Sequence, residues 1–197
     1  MGTTKVNICN SALAKVGATR ISSLDDDKKQ ARLCKELYTI ITQQMIESHP
    51  WNFAISRVEV AAVVAAPAFG FSYQFQVPSD CLRILNLQDD FSDDTVSQGS
   101  FYNWKREGDK ILTNDSTCKI KFIKDVSERP DLFSSNFSEA LAYRLAADLA
   151  YPLAQSNQLA SRMNQQYLVF LAYARSYDAQ EGSSDRFSAD QWLESRY

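Results

Sequence analysis

No apolar run in the 197 residues reaches the ~18 that a membrane-spanning helix needs. The opening stretch, Met1-Gly2-Thr3-Thr4-Lys5-Val6-Asn7, lacks the basic-then-apolar plan of a secretory leader and reads as a chain made and kept in a cytoplasm. Positive charge is not in excess: 21 Lys and Arg stand against 24 Asp and Glu, a net charge of −3. That argues against tight phosphate-driven binding of nucleic acid, which needs clustered cations, but not against a surface past which nucleic acid slides. Only one histidine is present, and the cysteines Cys9, Cys34, Cys81 and Cys118 form no CxxC pair. A Cys/His zinc site is therefore disfavoured, and the thiols read as small apolar side chains. No repeat, low-complexity tract or catalytic motif interrupts the chain, so neither a metal nor a cofactor is expected.

What the chain does have is a change of period. Residues 5–48 and 130–181 place apolar side chains every three or four positions, and residues 51–126 alternate every two. Helix 1 is expected over Lys5–Val16, with Thr3 or Thr4 as N-cap and Gly17 in the left-handed position after it. Helix 2 is expected from Asp26 to Ser48, capped by Ser23, with Asp25, Asp26 and Asp27 at its positive end and Pro50 as its stop. Helix 3 follows Pro130, with Asn136 and Glu139 as a capping box and Pro152 as a break or kink. Helix 4 runs from Gln158 to Gln180 behind Asn157, and its buried stripe ends on Ala174 and Tyr177.

Between the helical ends, Val58, Val60 and Ala62 suggest one strand. Phe71, Tyr73, Phe75 and Val77 suggest another with one face buried. Leu82 and Ile84 change phase to Leu85 and Leu87, which hints at a bulge. Gly108-Asp109 suits a hairpin turn between Phe101–Arg106 and Lys110–Thr113, and Cys118, Ile120 and Phe122 form a last strand. Gln88–Ser100 reads as a polar loop.

A helix with a single apolar stripe is marginal alone and must bury that stripe against a partner. Four such stripes imply an α+β fold: a four-helix bundle-like body with an antiparallel β domain inserted between helices 2 and 3. Residues 1–50 and 127–181 make the two halves of the body and 51–126 the insertion. Residues 182–197 form a polar tail with Phe187, Trp192, Leu193 and Tyr197 spaced along it. The strands are expected to stand outside the helical interior.

Few residues invite chemistry. His49 with Glu47 could act as a base, but at a helix end beside Trp51 it reads better as a junction residue. Trp51 and Phe53 at the helix-to-strand corner read as core. Asp89, Asp90, Asp93 and Asp94 lack the spacing of a calcium loop. Glu139 with Asp148, or Asp25 with Glu47, could be posed as a glycosidase pair, a chemistry that needs carboxylates ~5–10 Å apart across a cleft. Arg83, Lys105, Arg106, Lys119, Lys121 and Lys124, with Tyr102 and Trp104 among them, could form a nucleic-acid face. A solvated face or a subunit contact is the better reading.

Several segments resemble one family when taken in order. Val6-Asn7-Ile8-Cys9-Asn10-Ser11-Ala12-Leu13 and Gly17 open the chain. Ser23-Leu24-Asp25-Asp26-Asp27 and Ala31-Arg32-Leu33-Cys34 follow. Next come His49-Pro50-Trp51-Asn52-Phe53-Ala54 with Arg57, then Tyr73-Gln74-Phe75-Gln76-Val77-Pro78-Ser79-Asp80-Cys81-Leu82-Arg83, and finally Phe137-Ser138-Glu139-Ala140-Leu141-Ala142. Over roughly residues 5–181 the chain is similar to the head-to-tail adaptor proteins of tailed phages, the group that includes podophage tail tubular protein A. The Trp51 and Tyr73–Arg83 motifs are the specific parts.

The resemblance implies a non-enzymatic virion component assembled in a host cytoplasm. It implies a homo-oligomeric ring, typically of twelve copies, between the portal protein and the next tail or nozzle protein. Double-stranded DNA passes through the lumen without sequence-specific binding, and no membrane is involved. The tail residues Phe187, Trp192, Leu193 and Tyr197 would reach the portal, and His49, Trp51, Phe53 and Arg57 would mark the helix-to-strand junction. No catalytic residue is implied. The competing expectation is a tail-associated hydrolase acting weakly on peptidoglycan or polysaccharide.

Overall fold

The computed structural model describes residues 3–87 and 104–182. Four helices, α1 (Lys5–Lys15), α2 (Lys29–Glu47), α3 (Ser135–Ala154) and α4 (Asn157–Gln180), enclose six strands in the sequence between α2 and α3. These are β1 (Ile55–Val60), β2 (Tyr73–Gln76), β3 (Cys81–Leu87), β4 (Trp104–Glu107), β5 (Lys110–Thr113) and β6 (Cys118–Lys124). The fold is α+β, with two small antiparallel sheets ordered β1-β6-β3 and β2-β5-β4.

Local chemistry sets most helix ends. The Thr4 side chain accepts the Asn7 amide at 3.2 Å, and Gly17 takes the positive φ of 74° that closes α1. Helix α2 starts at Lys29, three residues later than the acidic run suggests. Side chains there compete with the helix: Asp26 accepts the Ser22 amide and Ser23 accepts the Asp25 amide, which holds the run in turns. Ser23 is therefore no cap. Helix α3 is capped by Ser134, whose hydroxyl accepts the Phe137 amide, and Asn136 already lies inside the helix. Helix α4 is capped by Ser156, not Asn157. Pro152 lies inside α3, which runs only two residues further to Ala154 and closes on Gln155, at φ 51°, whose amide donates to the Tyr151 carbonyl.

α3 is the hub of the helical body. It buries nine residues, from Phe137 to Ala150, and α1, α2 and α4 all pack along it. Its alanines, Ala140, Ala142, Ala146, Ala147 and Ala150, let those neighbours approach closely. α4 makes its main contact with α3 rather than with α1 or α2, so the arrangement is less a closed bundle than three helices around one. Leu13, Cys34 and Leu145 nevertheless share a single interior, and Phe170 packs against it.

The two sheets face each other over a smaller core of Phe75, Val77, Leu87, Ile111, Cys118, Ile120 and Phe122. The first sheet also turns its other face to the helices. Ile123, Leu82 and Leu85 belong to the helical interior, which corrects the expectation that the strands stand wholly outside it. Strand β3 manages both faces through two register shifts against β6, between Cys81 and Arg83 and between Ile84 and Asn86. Each shift adds one residue, so Leu82 and Leu85 face the helices while Cys81, Ile84 and Leu87 face the second sheet. The phase change read in this strand is this pair of bulges. Gly108, at φ 60°, turns the β4–β5 hairpin between the paired Glu107 and Lys110. No helix among the described residues is long and apolar enough to cross a membrane.

Candidate functional site

The corner where α2 gives way to β1 gathers the densest set of specific contacts. Pro50 ends the helix, and Trp51 swings inward until no part of it is exposed. Its indole Nε1 donates to the Met45 carbonyl at 2.9 Å, which satisfies one of the orphan acceptors at the end of α2. Around it stand Phe53, Phe133 and Phe137, with ring centroids 4.9 Å apart for Trp51–Phe137, 5.4 Å for Phe53–Phe133 and 4.9 Å for Phe133–Phe137. These four rings come from both halves of the chain, so the corner joins its two helical ends where β1 begins.

Asp178, in the last turn of α4, locks the same corner. One carboxylate oxygen accepts the Asn52 amide at 3.0 Å, and the Asn52 side-chain amide donates to the Asp178 carbonyl at 2.6 Å. The second oxygen lies 3.6 Å from His49 Nε2, and the His49 ring meets Trp51 edge-on at 4.7 Å. Burial pushes the His49 pKa down, and the cations Arg175 and Arg83 add to this against the pull of Asp178. His49 is thus held neutral at neutral pH. Glu47 is exposed on α2. The structure places His49 at the helix-to-strand corner, against Trp51 and Asp178.

The sequence pattern missed Asp178. The apolar spacing ends the α4 stripe on Tyr177, but Tyr177 is 57 % exposed and Asp178 is buried. The signal was present: Asp178 lies four residues after Ala174, in the buried phase. Arg57 does not join the corner; it is exposed on β1, opposite Lys121 in the register. His49, Trp51 and Phe53 do come together. Phe187, Trp192, Leu193 and Tyr197 lie outside the described residues, as do Asp89, Asp90, Asp93, Asp94 and Tyr102.

Three of the posed carboxylates are held in ion pairs. Glu139 pairs with Lys15 at 2.7 Å, Asp148 with Arg144 at 2.6 Å, and Asp25 with Lys35 at 2.6 Å. Glu139 and Asp148 are nine residues apart on one helix, ~13 Å along its axis, too far to flank a glycosidic bond. The basic residues of the β region are divided between the two sheets. Lys105 pairs with Glu107, Lys124 pairs with Asp80, and Lys119 and Lys121 also have partners. Trp104 packs on the β core. The four cysteines are free thiols. Burial pushes Cys118 up to about 11 and Cys81 upward as well, so neither is a ready thiolate. Among the described residues no group of His, Cys, Asp or Glu could hold a metal ion.

One surface stands out against this quiet background. Residues 61–71, Ala-Ala-Val-Val-Ala-Ala-Pro-Ala-Phe-Gly-Phe, link β1 to β2 without a single charged or hydrogen-bonding side chain. Val64 and Phe69 are exposed by 105 % and 87 %, and only Val63, Pro67 and Phe71 are half-buried. The loop is anchored at its base: the Val63 amide donates to the Gln74 carbonyl at 2.8 Å, and Gln74 Nε2 donates to the Ala65 carbonyl at 2.6 Å. Gly70 supplies the positive φ of 85° for its return. Two-residue spacing places Ala62 and Phe71 in strands, whereas β1 ends at Val60 and β2 begins at Tyr73. No family model matches the chain, and no curated protein matches it.

Proposed function

We propose that the chain is a non-enzymatic assembly subunit of a tailed-phage virion, a head-to-tail adaptor that forms a ring between portal and tail. The observation that carries this reading is the projecting apolar loop 61–71. A lone globular chain gains nothing by holding Val64 and Phe69 in water, whereas a subunit that buries them against a neighbour does. The residues that carry the family resemblance support the same reading. Trp51 is a buried corner pin, and Tyr73–Arg83 spans β2, the turn after it and the start of β3. Motif residues used in this way fix the angle between a helical body and its β module. A ring subunit needs that angle fixed, because small errors accumulate around a closed circle.

The mechanism is geometric. Each subunit offers two unlike flanks, head-to-tail contacts close the ring, typically of twelve copies, and double-stranded DNA passes through the lumen without sequence readout. The portal protein lies on one side and the next tail or nozzle protein on the other. The tail from residue 182, with Phe187, Trp192, Leu193 and Tyr197, reaches the portal. The test is co-assembly of the full chain with portal protein, imaged by electron microscopy. Closed rings on the portal are expected, along with rings that fail to form when Val64→Ser and Phe69→Ser are combined in a chain that still melts normally. No association with portal at any ratio would contradict the adaptor reading. Loss of residues 182–197 should weaken portal capture without changing the melting midpoint.

A further inference from the structure

The outer flank of α4 carries a second uncovered surface. Val169, Tyr173 and Tyr177 succeed each other at four-residue steps and are 47 %, 56 % and 57 % exposed. The band continues inward, since Tyr173 meets Phe170 edge-on at 6.2 Å and Phe170 stacks on Tyr143 at 4.8 Å. Lys15, which lies over the Tyr143 ring, is already paired with Glu139. The stripe itself carries charge only at its ends: exposed Arg162 before it and exposed Glu181 after it, with uncharged Gln166 following Arg162.

That distribution is complementary to itself read backwards. Pairing by a two-fold axis near residues 171–172 sets Arg162 opposite Glu181, Gln166 opposite Tyr177, and Val169 beside Tyr173 of the other copy. We infer that the free chain forms an antiparallel two-fold dimer through the outer flank of α4. In such a contact every interaction occurs twice, so both ion pairs and both Val–Tyr contacts are made. A nucleic acid would want cations along the stripe, where there are none. One helix face ~30 Å long and ~10 Å wide presents ~300 Å², short of the ~800 Å² per partner of a standard stable interface. The dimer is accordingly weak and visible only through its concentration dependence. A two-fold pair closes on itself and builds no ring, so the inference does not rest on the adaptor reading.

Sedimentation velocity of the full chain alone, from low micromolar to near-millimolar, tests it. The expected result is a shift from the 22.3 kDa species to its dimer as concentration rises. Tyr173→Glu should hold the chain monomeric throughout with an unchanged melting midpoint, because the side chain is exposed. Arg162→Glu should weaken the dimer about five- to tenfold, and Arg162→Glu with Glu181→Arg should restore it. A monomer at every concentration would overturn the inference. So would a dimer indifferent to Tyr173→Glu, or a charge swap that restores nothing.

Discussion

α3 and α4 lie against each other and run 20 and 24 residues, yet α3 buries nine side chains and α4 only four. Both show apolar residues at helical spacing. The difference is in what surrounds them. α3 is contacted on several sides and fills them with alanines, whereas α4 packs chiefly on α3 and leaves Leu168, Val169, Tyr173 and Tyr177 in solvent. Apolar spacing thus marks where a helix can be covered; the number of neighbours decides how much of it is. In α3 the apolar surface holds the fold together, and in α4 half of it is left for something else.

The largest test of that contrast is truncation at matched chemistry. Leu145→Ala in α3 should cost about 3 kcal/mol in urea unfolding, for the lost burial and the cavity left behind. Leu168→Ala in α4 should fall within about 0.5 kcal/mol of wild type. Equal costs would mean that α4 is no flank. Next comes the one deep grip of α4. Asp178→Ala removes the carboxylate that accepts the Asn52 backbone amide and should cost about 1 kcal/mol by the same measurement. A negligible cost would show that α4 is held by its apolar side alone.

The helix caps should register more gently. Ser134→Ala and Ser156→Ala each remove the acceptor of a first-turn amide, for about 1 kcal/mol apiece by thermal melting. The smallest effect is the pH dependence of the corner. The fold holds His49 below its ordinary value of 6.5, so its neutral form is the one the native state favours. Its contribution is complete above about pH 6.5 and is lost as pH falls through the lowered folded value. His49→Gln should flatten the stability–pH profile in that window, and an unchanged slope would remove His49 from the account.

Much of the architecture was legible because one physical signal sets it. A change from 3.6-residue to two-residue spacing at His49-Pro50-Trp51 marks the passage from helix to strand, and the return at Pro130 marks the way back. The bulged strand showed itself through the phase change at Leu82–Leu87. Side-chain competition was harder to read: Asp26 and Ser23 bond the backbone locally and delay α2, though the same residues at a helix start would serve as caps. Polarity alone also hid Asp178, since a carboxylate in the buried phase becomes tolerable only when a distant amide arrives to meet it. The projection of loop 61–71 depends on what packs nearby, which periodicity does not encode.

Native-state hydrogen exchange of the full chain tests the central claim most directly. If helices from both termini share one interior around α3, the slowest amides of α1, α2 and α3 should open with one common free energy, equal to that of global unfolding. Slow amides of α1 and α2 that open together at a distinctly lower free energy than those of α3 would show two helical units instead of one, and would contradict the account.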